Sequence, residues 1–215
     1  ITLLAAALTA SGMNWLLRGH PSMEGRTTRR HWLLPTLTTL VTGVTLTVIP
    51  TIPGWWVGFG VTAVIMLLVF AAEYIVVEPG APYYPAARAG LTALSYALFL
   101  ILISALRLAG IRLSVLLPAI LLASGLIALR ILHLDGFDRW DYPWAIGIGI
   151  VCTQLAAGLH YWPLLPLQFA LVITGPLYAL TSFSANVTGG APVRGAVLEP
   201  GIILLLSWGT AAFIR

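Results

Sequence analysis

Three ionisable residues stand inside otherwise apolar segments of this sequence: Glu73 in FAAEYIVV, Arg130 in IALRILHL and Glu199 in AVLEPGII. Such a side chain is costly in an apolar run unless it is paired or has a task, so each is a functional candidate. His133 follows Arg130 one helical turn later and joins the group. If the segments are helices, Glu73, Arg130 and Glu199 fall within about two turns of one set of ends, roughly 5–8 Å deep. An inner-leaflet polar network of Glu73, Arg130, His133 and Glu199 could then form, with Arg130 pairing with either glutamate. The competing reading is structural, in which each group snorkels to the interface or joins an ion pair between helices. The sequence favours the structural reading.

Two further features could hold a solute. Thr174-Gly175-Pro176 and Glu199-Pro200-Gly201 place proline beside glycine within apolar segments. Proline removes a helix hydrogen bond, and broken spans in carriers offer freed carbonyls to a ligand. Gly175, Pro176, Pro200 and Gly201 are therefore candidate helix breaks, although kinks also occur in purely structural spans.

The remaining polar residues point away from catalysis. His20, His31 and His133 map to one interface and His160 to the other, so they do not converge on a metal or haem; each reads as an interfacial residue. Asp135, Asp138 and Asp141 in DGFDRWDY echo metal-diphosphate sites, but the second acidic motif that such sites require is absent, so a solvated turn is the better account. No nucleophile elbow, HExxH, P-loop or GxGxxG occurs. Asn186-Val-Thr188 fits a glycosylation acceptor yet maps to the cytoplasmic side. Cys152 is the single cysteine, so no internal disulfide forms. No catalytic or metal residue is assigned, and no cofactor follows from the sequence; a bound pigment or lipid is left open.

The elements that position these residues are set by composition. Of 215 residues, 59% are hydrophobic and 8% charged, with a mean hydropathy of +0.96. Soluble domains carry about a quarter charged residues, and one water-soluble core of this size could not hide so much apolar surface. The expectation is an all-α, polytopic transmembrane helix bundle forming one domain over 1–215. About eight spans are predicted, at 1–17, 32–49, 55–77, 86–106, 113–134, 143–159, 164–183 and 194–214. The first covers only about 25 Å. The second is rich in Thr, whose hydroxyls can bond back to the preceding turn.

The one long polar run, GHPSMEGRTTRRH from Gly19 to His31, fixes orientation. With that run inside, Arg18, Arg26, Arg29, Arg30, Arg88, Arg130, Arg139 and Arg194 lie on the inner side, against Arg107, Arg112 and Arg215 outside. Trp15, Trp32, Trp55, Trp56, Trp140, Trp144 and Trp162 fall near span ends, as interfacial indoles do; Trp208 alone sits well inside a span. The predicted location is a bacterial plasma (inner) membrane, multi-pass, with both termini outside. The net charge of +4 reflects this topology rather than nucleic-acid binding, for no basic patch is interleaved with aromatics. The chain begins with Ile and shows no cleavable signal, so upstream sequence is expected.

An internal echo suggests a four-plus-four parallel duplication. Ala10-Ser-Gly12 and His20 recur as Ala123-Ser-Gly125 and His133, and at the same offset Arg26 falls on Arg139 and Pro50 on Pro163. The texture of HWLLPTLTTL, AAEYIVVEPG, GLTALSYALFL, GLHYWPLLP and TGPLYALTS resembles an uncharacterised bacterial family of polytopic membrane proteins. That resemblance implies a multi-helix membrane fold and no activity.

Two functional readings follow. In the first, the protein is a non-enzymatic accessory or structural subunit of a larger membrane assembly. Its partners are the bilayer and other membrane subunits or itself, and Gly58, Gly60, Gly147 and Gly149 permit close helix approach. In the alternative, it is a carrier or binding protein for a small solute or lipid, with its site at the seventh and eighth spans. An intramembrane enzyme is a distant third. The subunit reading is preferred because nothing polar maps to mid-membrane.

Overall fold

The computed structural model describes residues 2–19, 31–78, 80, 82–134 and 141–214. Among them are eight helices and no strands: α1 (Thr2–Arg18), α2 (Leu33–Val48), α3 (Ile52–Val76), α4 (Tyr84–Leu108), α5 (Leu113–Leu134), α6 (Tyr142–Leu159), α7 (Pro166–Thr188) and α8 (Val193–Phe213). Six of them, α3 to α8, are long and apolar enough to cross a membrane. The other two are shorter, 17 residues in α1 and 16 in α2. Their axial lengths are about 25 Å and 24 Å at helical rise.

Helix limits follow local chemistry. Pro53 and Pro166 sit in the first turns of α3 and α7, where no amide donor is needed. The expected turn at 50–54 is accordingly shorter, with α3 beginning at Ile52. The loop expected from Ser184 is helical to Thr188 instead. Ser184 Oγ donates to the Thr181 carbonyl and Thr188 Oγ1 to the Ser184 carbonyl, so small polar residues extend α7 rather than end it. Asn186 lies within that last turn. In α2 the threonines bond back as expected: Thr38 to Leu34, Thr42 to Thr38 and Thr45 to Val41, each at 2.8 Å.

The chain forms two compact units, Ile1–Leu98 and Phe99–Arg215. In the first, α1 packs on α2 and α2 on α3. Gly43 lies so close to Thr2 that any side chain there would overlap it, and the Thr9 and Thr39 hydroxyls bond across the pair at 2.9 Å. At one end Met13, Leu17 and Val77 form a buried cluster, flanked by Leu16, Trp32 and Phe70. In the second unit α5 to α8 pack in succession. A Cβ on Gly149 would stand 3.2 Å from the Leu121 carbonyl oxygen, which explains the small residues on both α5 and α6. Gly58 similarly lies close to Leu46 and Ile49, whereas Gly60 and Gly147 face open space. Two of the four expected contact glycines thus serve that role. The echoed glycines also differ, since Gly125 lies near the Ala145 carbonyl and Gly12 touches nothing.

Candidate functional site

Each sequence-derived candidate has a defined place. Glu73 lies one turn before the end of α3 and is completely buried. Its carboxylate Oε2 meets Nδ1 of His31 at 2.7 Å, and the His31 side chain is 10% exposed. His31 lies two residues before α2, next to its N-cap Trp32. The sequence places His31 among the interfacial residues; its pairing joins positions 42 residues apart, which no local pattern records. The signal that could have found it was the alternation of α2 and α3, which returns Glu73 to the level of His31.

This pair is a short contact between groups of opposite tendency in a dry setting. Nδ1 is taken by the carboxylate, which leaves Nε2 as the nitrogen able to meet a second partner. Such an arrangement can lock two helices, and it can also hold or pass a proton.

Arg130 is fully buried in α5, the largest side chain so placed among the described residues, and His133 one turn later is half-buried. Glu199 is exposed on α8, where its Oε1 accepts a hydrogen bond from Tyr178 Oη at 3.0 Å. Contacts of Gly125 with Ala145, Trp144 with Phe183 and Tyr178 with Glu199 set the register of α5 to α8. Tyr178 is near the midpoint of α7 (Pro166–Thr188), and Glu199 stands in the second turn of α8 (Val193–Phe213).

The candidate breaks do not interrupt their helices. Gly175 and Pro176 lie within a continuous α7, and Pro200 and Gly201 within a continuous α8. Pro176 has no N–H, so the Val172 carbonyl one turn back loses its helical donor. Trp208 Nε1 supplies one at 3.1 Å. Ser207 Oγ donates to the adjacent Leu171 carbonyl at 2.8 Å, and Gly175 admits Ser207 by lacking a side chain. The mid-span position of Trp208 thereby has a cause. The freed carbonyl is occupied from within the protein.

No group of three or more His, Cys, Asp or Glu residues that could hold a metal exists among the described residues. Arg26, Arg29, Arg30, Arg139, His20, Asp135 and Asp138 lie outside the described residues.

A family model matches residues 1–214, virtually the whole chain. The chain belongs to the family DUF5656. That family is described as "Protein of unknown function (DUF5656)", in keeping with the expected resemblance to an uncharacterised family. No curated protein and no solved structure matches the chain. Six apolar helices in a DUF5656 member are compatible with an integral membrane protein.

Proposed function

We propose that this protein is a non-enzymatic subunit of a larger membrane assembly, docking through α8. The carrying observation is Glu199: a carboxyl group exposed on an apolar helix face, in the second turn of α8. Around it Leu198, Ile202, Leu205 and Leu206 point outward. A carboxyl facing lipid within a span is unfavourable. A second membrane helix offering a donor or cation at that level removes the penalty. The self-satisfied Pro176 break supports the same reading, because it leaves no open carbonyl there for a solute.

The topology proposed with it is eight spans in a bacterial plasma membrane, with the Gly19–His31 run cytoplasmic and both termini outside. A four-plus-four duplication goes with that topology. Shifted by the echo's 113 residues, α3 (52–76) falls on 165–189, against Pro166–Thr188 for α7, and each starts with an early proline.

Photo-crosslinking in the native membrane tests the subunit reading. A photoreactive residue at Leu198 or Leu205 should capture one discrete membrane polypeptide, and Glu199→Gln should weaken the capture. Crosslinks to lipid alone would overturn it. The carrier alternative draws on the same carboxyl: Glu199 with Tyr178 would bind a cation or proton, and uptake abolished by Glu199→Gln without loss of any partner would favour it.

A further inference from the structure

Among the described residues of the unit Phe99–Arg215, one end carries cations and no acid. Arg107 closes α4, Arg112 precedes α5, and His160 follows α6. The unit's described acids lie elsewhere: Asp141 caps the start of α6 at the opposite end, and Glu199 stands in the second turn of α8.

The Arg107 guanidinium is half-buried and held on three sides. Its Cζ stands 5.0 Å over the Phe169 ring, Nη2 donates to the Trp162 carbonyl at 3.3 Å, and Nη1 lies 3.4 Å from Nδ1 of His160. A guanidinium has no lone pair to offer, so Nη1 must donate and Nδ1 must accept. His160 is thereby fixed in the tautomer that carries its hydrogen on Nε2, giving the site a second donor. Two of the five guanidinium N–H groups are used by these contacts, which leaves three. Tyr161 and Trp162, beside the site, are among the most exposed aromatics of the chain. Exposed Tyr and Trp are the residues that settle at headgroup level.

We propose that Arg107 and His160 form a binding site for a phosphate group, and that the phosphate is that of an anionic phospholipid headgroup. The preset guanidinium supplies a planar fork for phosphate oxygens. His160 Nε2–H adds a directional donor, Arg112 adds long-range attraction, and Tyr161 and Trp162 flank the glycerol region. A zwitterionic headgroup carries its own ammonium beside the phosphate, so the acid-free cationic end should select against it.

Native mass spectrometry of the full chain in mixed micelles tests this, with phosphatidylglycerol or phosphatidylcholine titrated in. The wild type should retain phosphatidylglycerol in preference, and Arg107→Gln should cut that preference about tenfold, the worth of a charge-assisted contact. His160→Phe keeps the ring packing against Tyr161 but removes the Nε2 donor; it should cut the preference several-fold, which serves if the arginine variant fails to fold. A parallel titration with inorganic phosphate separates the sources. Free phosphate that binds as tightly as phosphatidylglycerol, with the same sensitivity to Arg107→Gln, would overturn the lipid assignment. No headgroup preference in the wild type, or an unchanged preference in folded variants, would overturn the site itself.

Discussion

Replacing His31 with Leu should be among the most destabilising single changes in the first unit. Glu73 is 0% exposed and His31 approaches it at 2.7 Å, so the substitution deprives a buried carboxyl of this partner. Breaking a buried pair from one side costs about 3–5 kcal/mol. For a chain of this length each kcal/mol corresponds to about 2–4 °C, so a drop of about 6–20 °C is expected. Glu73→Leu should cost less, about 1–3 kcal/mol, since an imidazole that loses one hydrogen bond is cheaper to accommodate than a stranded carboxylate. The double variant His31→Leu/Glu73→Leu should recover most of the loss, because a buried pair exchanged for apolar groups is often near neutral. Thermal unfolding in detergent, followed by tryptophan fluorescence, completes the cycle. A coupling of at least about 2 kcal/mol is the expected result. Strictly additive effects, or a His31→Leu loss below about 2 °C, would refute the claim that this pair ties α2 to α3.

The α7–α8 contact gives a second cycle. Trp208→Phe should cost about 1–3 kcal/mol by orphaning the Val172 carbonyl, and far less in a Pro176→Ala background, where residue 176 regains the N–H that serves that carbonyl; equal losses in both backgrounds would contradict this. Gly149→Ala should destabilise, because its Cβ would press within 3.2 Å of the Leu121 backbone, whereas Gly147→Ala should be neutral or stabilising by up to about 1 kcal/mol through helix propensity. Denaturant titration of the two alanine variants side by side separates packing from propensity. Glu199→Gln should leave folding nearly unchanged, since the amide oxygen can still accept from Tyr178, while partner capture falls; a large loss of stability would mean that the carboxyl serves the fold alone.

The helices were legible because apolar length is written residue by residue: α5 begins and ends where the hydrophobic run Leu113–Leu134 does. Ends set by hydroxyl back-bonding were not, as at Thr188, because serine and threonine read as loop formers until their carbonyl partners are known. The candidate site was half visible. Glu73 announces itself as an acid in an apolar segment, but its partner is chosen by packing between α2 and α3, which no local pattern records. His31 therefore looked like one more polar residue after an arginine run. Trp208 illustrates the same limit, for its purpose lies in a carbonyl freed 36 residues earlier. Glu199 is legible as an acid in an apolar segment, but its Tyr178 partner, 21 residues away, is not.

The most direct test of the subunit assignment is the mass of the particle that carries this chain when the native membrane is excised with a polymer and never exposed to detergent. A particle holding at least one other membrane polypeptide in fixed ratio to this 23.0 kDa chain is the predicted result, with that ratio disturbed by Glu199→Gln. Particles containing this chain alone in lipid, unchanged by the substitution, would contradict it.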